Sequence, residues 1–378
     1  MSPAATDIFY VITDLQRGGV PLHLRRLVGA VRKEGYRVAV VTLAQGGEVA
    51  AMLRADGVEV LECGGRGGWD VRVFTRLARI MQSRRPRLVH SFLFHANLAV
   101  RVAGKLTRYP VAQIICEIQT VEVERKWHLV VDHATHEWCR VTIGNSPSVI
   151  EHLHRTAGIP LSRLCLIRGG IEPIPSCDPH SRDAARAAIR AAIPEMSNDA
   201  PVVLWVGRLD PVKGLATLVE AFQSVAATTT AHLLLACDGP MFGALQHQIT
   251  NRGLWGRVHL LGMRRDVPDL LRAADLFVFP SRTEGLPNAL LEAMAWGVPV
   301  LTTDVPGCRD LVQDGVTGRL VPYDDADALA RALLAGLTDR ESAKVMARQA
   351  QASVESLWQI QRTHANYLAL YRSALVSS

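Results

Sequence analysis

An α/β architecture built from two doubly wound parallel-sheet domains is the fold class the sequence predicts, and three observations predict it. Short apolar runs alternate with helical periodicity from Ile8 to Ile143. A proline-rich break interrupts this pattern at 172–200, and the alternation restarts at Val202. Alternation with short turns argues for parallel sheets covered on both faces. At 378 residues the chain is long enough for two cores.

Taken in order, Ile8 to Ile12 reads as a strand, Arg17-Gly18-Gly19 as a turn, and Leu22, Leu27, Val28 and Val31 as one face of a helix ended near Gly35. Val38–Thr42 and Val58–Leu61 are the next strands. A glycine loop follows at 64–68, then a helix over about 71–83. Leu88–His90, Val111–Cys116 and Val141–Ile143 are further strands, with a helix over Ala96–Leu106. Glu172 to Pro179 reads as linker, followed by an Ala/Arg-rich helix over about 181–192. Strands resume at 202–206, 233–236, 258–260 and 276–279. The stretch from Val354 to Leu375 is helical, with Leu357, Trp358, Tyr367, Leu370 and Tyr371 available to pack.

Composition excludes several classes. Hydrophobic content of 48% and charge of 21% are ordinary for a globular protein. The first seven residues lack the features of a secretory signal, and no run approaches the ~18 apolar residues of a membrane span. Seven scattered cysteines without a CxxC imply neither a zinc site nor a disulfide framework, which fits a reduced cytoplasm. The net charge of +6 is lopsided: residues 1–180 hold 23 Lys+Arg against 16 Asp+Glu, the remainder 19 against 20. Basic residues gather at Arg25, Arg26, Arg32, Lys33 and Arg37, and at Arg72, Arg76, Arg79, Arg84, Arg85 and Arg87. They read either as solvated helix faces or as a surface for anionic lipid or a phosphorylated acceptor. Sparse aromatics and the absence of a binding module argue against nucleic acid.

The most informative segment is Glu284 to Glu292, which brackets Gly285-Leu286-Pro287-Asn288-Ala289-Leu290-Leu291. Pro287 fits the first helical turn. Leu290, Leu291, Met294 and Ala295 make an apolar face, and Gly297 and Pro299 stop the helix. A helix N-terminus of this kind attracts anions, phosphates above all. Two acids beside it can accept hydrogen bonds from hydroxyls, so the segment suits a sugar nucleotide. Upstream, a strand runs into Gly207-Arg208-Leu209-Asp210-Pro211-Val212-Lys213-Gly214, where a planar guanidinium and a movable ammonium can converge on a diphosphate.

Gly207-Arg208…Lys213-Gly214, Asp238-Gly239-Pro240, Leu261-Gly262 and Glu284…Glu292 with Glu-Ala-Met-Ala-Trp-Gly-Val-Pro occur in this order. Together they resemble the C-terminal domain of the retaining glycosyltransferases of family 4, which have the GT-B fold. The first half is similar more loosely, through Arg17-Gly18-Gly19, Ser91 to Leu98 and Ile143-Gly-Asn-Ser-Pro147. The resemblance implies two Rossmann-like domains facing a cleft. They would be an acceptor-binding domain (1–178), a linker (179–200), a nucleotide-sugar domain (201–353) and a helix (354–378) crossing back to the first domain. It implies a hexosyltransferase that retains anomeric configuration and moves a sugar from a nucleotide-diphosphate donor to a glycan, glycolipid or polyprenyl-linked acceptor in cell-surface polysaccharide assembly.

By the same resemblance, Arg208 and Lys213 bind the donor diphosphate and Glu284 lies by the transferred sugar. The backbone of Gly285, Leu286, Pro287 and Asn288 lines sugar and phosphate, with the amides of all but Pro287 as donors, Glu292 accepts from ribose, and the backbone near Met263 and Arg264 meets the base edge. Gly19 lets a first-domain loop approach closely. No cofactor and no metal are expected, because Arg, Lys and the helix terminus supply the positive charge. Asp325-Ala326-Asp327 matches a DxD metal motif but precedes an Ala/Leu-rich helix, so capping is the expectation. Peripheral contact with the inner membrane face is also expected.

The sequence departs from the family at several points. Gln119 stands where relatives carry a His, and it cannot shuttle a proton at neutral pH. His95 is the candidate to assist on the acceptor side. Val20-Pro21 follows the glycine pair where relatives often have an acid. Cys237 replaces a common Gly, and Asp310 a frequent Glu. A non-catalytic nucleotide-sugar-binding protein and a GT-B epimerase are the rival readings.

Overall fold

A computed structural model describes residues 6–65, 70–121, 125–174, 179–197 and 199–376. Residues 66–68 of the expected glycine loop and 175–178 of the expected linker lie outside the described residues. The chain divides into two compact units, residues up to 170 together with 360 onward, and Ile171–Gln359.

The first unit is built on seven strands: Ile8–Ile12 (β1), Val38–Thr42 (β2), Glu59–Glu62 (β3), Leu88–Phe92 (β4), Ile114–Ile118 (β5), Val141–Gly144 (β6) and Leu164–Leu166 (β7). Their order is β3-β2-β1-β4-β5-β6-β7, and every pairing is parallel. Ile8 registers with Val38 on one side and Leu88 on the other, so β1 is central and all five of its residues are buried. A strand covered on both faces has no solvent side, which is why it reads as an unbroken apolar run. The strand order reverses between β1 and β4. The loops at their carboxyl ends therefore splay apart and leave a crevice, the usual ligand site of such sheets.

The second unit repeats the plan with Val202–Val206 (β8), His232–Ala236 (β9), Val258–Gly262 (β10), Leu276–Phe279 (β11), Val300–Thr303 (β12) and Arg319–Val321 (β13). The order is β10-β9-β8-β11-β12-β13, again all parallel. Here the reversal falls between β8 and β11.

The expected boundaries need correction. The expected Ala/Arg-rich helix, Pro179–Ala192, belongs to the second unit rather than to a linker over 179–200: Ala185, Ile189, Ile193 and Met196 are buried in its core, and Arg182 and Arg186 both pair with Asp275. Spacing near four residues gives this Ala/Arg-rich stretch one apolar stripe, enough to hold it down. At the other end, the helix Arg340–Leu357 and Trp358 stay with the second unit; Val354 and Trp358 are buried there, while Leu357 is exposed. The helix that returns to the first unit is Ile360–Val376.

That returning helix is keyed into the first unit by a buried polar cluster. Glu117 on β5 is fully buried. Its carboxylate accepts from the Tyr367 hydroxyl at 2.8 Å and the Gln119 amide at 2.5 Å, and lies 3.1 Å from His90 Nε2. His90 Nδ1 in turn meets the Tyr371 hydroxyl at 2.7 Å. The basic clusters of the first unit are in part paired within it: Arg25 with Asp56, Arg37 and Arg87 with Asp7, Arg72 with Asp70, and Arg84 with Glu59. No helix among the described residues is long and apolar enough to cross a membrane, and the six described cysteines are free thiols.

Candidate active site

The reversal between β8 and β11 brings together the loops that carry Arg208, Lys213 and Glu284. After β8 the chain makes a short 3-10 turn, Pro211–Lys213, started by the Asp210 carboxylate accepting from the Val212 amide at 3.2 Å. Gly214 ends it in the left-handed region (φ +65°) and begins the helix Leu215–Thr228. A Cβ on Gly214 would sit 2.0 Å from the Pro280 carbonyl oxygen, so the loop after β11 runs directly against this turn. The Arg282 amide donates to the Val212 carbonyl at 2.8 Å and ties the two loops together.

Across this junction Lys213 Nζ donates to Glu284 Oε1 at 2.6 Å, with side-chain exposures of 21% and 10%. The ammonium also lies 5.6 Å from the centre of the Phe279 ring. Arg208 sits at the mouth of the same loop, its side chain 72% exposed and its nearest acid Asp210 at 4.0 Å. Lys213 and Glu284 are thus brought together, while Arg208 extends into solvent beside them. Gly214→Ala is expected to cost well over ~1 kcal/mol from the left-handed backbone, with the carbonyl overlap added. Chemical denaturation checks this, and a loss below ~0.5 kcal/mol would contradict the geometry.

The helix whose terminus the sequence reads as an anion site is Asn288–Ala295, which has no acid in its first turn. Pro287 is its N-cap (φ −77°, ψ 90°) rather than a residue of the first turn, a shift of one position from the sequence reading. Asn288 is exposed, whereas Leu290, Leu291, Met294 and Ala295 are buried, so packing on the sheet aims the free amides outward. Gly285 is buried, and Glu292 and Leu286 are half-buried. A Cβ on Gly307 would meet the carbonyls of Glu284 and Gly285 at 2.6 and 2.5 Å, so a second backbone supports this loop from behind. Thr302 and Thr303 on β12 hold it through hydroxyl bonds to the Phe279 and Ser281 carbonyls at 2.7 and 2.5 Å. Beneath the site, burial pushes the Cys308 thiol up to about 12, so it stays neutral.

Asp238-Gly239 acts on the site indirectly. The Leu209 amide donates to the Asp238 carbonyl at 3.0 Å, and a Cβ on Gly239 would lie 2.5 Å from the Leu209 oxygen. The element therefore props the Arg208 loop. Cys237 before it adopts φ +122°, a conformation that glycine tolerates and other residues resist. Met263 is exposed with its sulfur 3.8 Å from Cys237 Sγ, and Arg264 is held by Asp266 at 2.8 and 2.5 Å. Asp325 caps the helix Ala326–Thr338 by accepting from the Ala328 amide at 2.8 Å. No group of three or more His, Cys, Asp or Glu residues that could hold a metal ion occurs among the described residues.

Gly19, His95 and Gln119 belong to the first unit. Gly19 is the exposed first residue of the helix Gly19–Lys33. His95 lies in the first turn of the helix Phe94–Thr107, and Gln119 follows β5 with its amide on Glu117. Leu93, which precedes that helix, takes φ +71°, and its amide donates to the Glu117 carbonyl at 2.9 Å. Sequence reasoning missed Leu93, Asp14, Arg282, Thr302 and Thr303. Asp14, two residues after β1, carried a readable signal as an acid near a strand end; the others act through backbone geometry or through a partner distant in sequence.

Comparison with known proteins agrees with this layout. Residues 17–173 match the profile described as Glycosyltransferase Family 4, and residues 200–339 that of Glycosyl transferases group 1. The chain is 31% identical over 180 residues to N-acetyl-alpha-D-glucosaminyl L-malate synthase of Bacillus anthracis, covering 48% of this chain and 47% of that one. It therefore spans about half the length of that relative. It is 24% identical over 303 residues to the UDP-Gal:alpha-D-GlcNAc-diphosphoundecaprenol alpha-1,3-galactosyltransferase of Escherichia coli, covering 75% of each. The crystal structure of Anabaena HepE with UDP and glucose matches with a TM-score of 0.85 at 22% identity, over 97% of this chain and 100% of that one. With two family profiles in sequence and two parallel doubly wound sheets in space, the chain belongs to the group 1, family 4 glycosyltransferases and has the GT-B fold.

Proposed function

We propose that the protein transfers a hexosyl unit, with retention and without a metal, from a nucleotide-diphosphate sugar to an acceptor in polysaccharide or glycolipid assembly. The observation that carries the reading is the Lys213–Glu284 pair at the strand reversal, between the Arg208 loop and an outward-facing helix N-terminus. Lys213 and Arg208 neutralise the diphosphate, aided by the amides following Pro287. Glu284 and the backbone of Gly285 to Asn288 hold sugar hydroxyls, Glu292 the ribose, and Met263 with Arg264 the base. As the glycosidic bond breaks, negative charge grows on the departing nucleoside diphosphate, and the fixed cations stabilise it more than they do the ground state. Support comes from relatives: HepE was crystallised with UDP and glucose, and the Escherichia coli relative is named for a polyprenol-diphosphate acceptor. In this reading the acceptor belongs to the first unit, with His95 and Gln119 beside it, and the protein works on the cytoplasmic side of the membrane.

A thermal-shift panel of UDP-, GDP- and ADP-sugars tests the donor assignment, because a ligand at ~100 Kd adds about 2.7 kcal/mol of stability. One nucleotide class is expected to raise Tm in the wild type, and Arg208→Ala to remove most of the shift at equal ligand concentration. Arg208 is largely exposed, so the unliganded variant should melt as the wild type does. A shift left intact in Arg208→Ala would place the diphosphate elsewhere. The anomeric configuration of the product, read by NMR, tests retention, and turnover after chelation tests metal independence.

A further inference from the structure

A hollow of about 640 Å³ lies in the second unit, at the edge of its sheet opposite the Arg208 and Glu284 loops. Asp275 and Pro299, the residues directly before β11 and β12, line it, so it opens at the amino ends of the strands. Three helices supply its cations: Arg182, Arg186 and Arg190 from Pro179–Ala192, Arg272 from Val267–Ala273, and Arg340 and Lys344 from Arg340–Leu357. Three acids, Asp183, Asp199 and Asp275, line it as well.

We propose that this hollow is a second anion site, separate from the donor crevice, for a soluble ligand that carries two or more phosphate charges. The reason is a supply of N–H donors that the local acids do not use up. The Asp275 carboxylate accepts from both Arg182 and Arg186 at 3.0–3.1 Å and from the Val202 amide at 2.8 Å, so its lone pairs are engaged. Arg182 spends a single nitrogen, Nη2, on that carboxylate and on the Ala274 carbonyl, which leaves Nε and Nη1 for another acceptor. The Arg340 guanidinium has no ion-pair partner among the described residues. Arg272 is pinned: Asp269 accepts from it at 2.5 Å, and its guanidinium lies 4.6 Å from the centre of the Trp296 ring. The Arg186 and Arg272 side chains are 15% and 25% exposed, so these forks are already ordered and an incoming anion loses little entropy in fixing them. Five of the six cations are arginines, whose planar forks match phosphate oxygens in pairs. They converge from three helices, so a ligand with more than one charged oxygen reaches more of them than a single monoanion does.

The test measures pyrophosphate and orthophosphate binding by calorimetry, with the full chain at constant ionic strength and chloride as the baseline. Pyrophosphate also suits the donor crevice, so every variant is made in the Arg208→Ala background. Pyrophosphate is expected to bind Arg208→Ala, and more tightly than orthophosphate does. Adding Arg340→Glu or Arg182→Gln is expected to lower that affinity by about tenfold or more. Both positions are exposed, and glutamate suits the first turn of a helix, so circular dichroism and melting without ligand should stay close to those of the parent. A second arm offers the same proteins phosphatidylcholine vesicles with and without phosphatidic acid, which separates a soluble phosphate from a lipid headgroup. No pyrophosphate binding in Arg208→Ala, an affinity unchanged by both additions, or binding to phosphatidic acid vesicles with no response to the soluble probes would each overturn the proposal. Pyrophosphate held by Arg208→Ala and released by Arg340→Glu supports the site even if the protein transfers no sugar, so this inference and the glycosyl-transfer reading fail separately.

Discussion

Glu284→Ala is expected to lower kcat by about 10²–10³-fold, the range seen when one preorganised polar group is taken from a transition-state site. The residue lies in the loop after β11 and is held by Lys213 at 2.6 Å, so its deletion also frees a half-buried ammonium. The two effects separate by measurement. If Glu284 serves the transferred sugar, free nucleoside diphosphate keeps binding to the variant while transfer collapses. In Lys213→Ala, by contrast, nucleoside diphosphate affinity and kcat fall together, because the ammonium is assigned to the leaving group. Lys213→Arg restores little, since a planar fork cannot occupy the place of a compact ammonium beside Phe279. Transfer by Glu284→Ala within about threefold of wild type would remove Glu284 from the reaction and favour a non-catalytic role for this loop.

The second large effect concerns stability. Glu117 is a fully buried carboxylate whose partners come from three parts of the chain: His90 on β4, Gln119 after β5, and Tyr367 on the returning helix. Replacing it by alanine strands those groups and is expected to cost about 3–5 kcal/mol, as in other broken buried pairs. Tyr367→Phe removes one hydrogen bond to a charged group, about 1.5–3 kcal/mol. Each kcal/mol should appear as roughly 2–4 °C of Tm in a unit of this size. A loss under ~0.5 kcal/mol in Tyr367→Phe would show that the helix is held by apolar packing alone.

The same cluster sets a pH dependence. Burial alone would raise the Glu117 carboxyl, but contact with His90, the charges of His90 and His23, and the Gln119 amide outweigh it and hold it below its ordinary 4.5. Burial depresses the neighbouring His23 imidazole below its ordinary 6.5, against the opposing pull of Glu117. Tyr10, Tyr367 and Tyr371 are pushed up by burial, so they stay neutral through this range. Both depressed groups bind more protons in the unfolded chain, so stability rises with pH. The His23 contribution is complete above about 6.5 and is lost as pH falls below it. The Glu117 contribution is complete above about 4.5 and is lost as pH falls through its lowered value. Melting curves from pH 8 to pH 3 are therefore expected to decline with falling pH, and the decline below about pH 4.5 to be shallower in Glu117→Leu, while Asp7 and other carboxyls held low by arginines keep part of it.

The central strands were legible because a buried parallel strand has no polar face. Ile8–Ile12, Val202–Val206 and Leu276–Phe279 stand where the apolar runs stand. β12 and β13 were not legible: Val-Leu-Thr-Thr and Arg-Leu-Val are short and mixed, and they become strands by pairing with β11 and with each other. The Ala/Arg-rich stretch was legible as a helix but not as part of the second unit, because its apolar stripe is narrow and only the neighbouring helix Val267–Ala273 and Asp275 give it a place. The Gly preference at position 237 has its cause in a backbone angle that no residue letter displays.

By itself the sequence determined the two-unit parallel α/β plan, the family, and the strand-to-helix turns that carry Arg208, Lys213 and Glu284. Those features rest on local chemistry: apolar period, turn residues and charges a few positions apart. Only the tertiary structure decided that Lys213 pairs with Glu284, that Gly214 and Gly307 let backbones press together, and that Tyr367 seals a buried glutamate. Each of these joins residues far apart in the chain, and their cost or benefit arises from burial and close approach, which exist only once the sheets have formed.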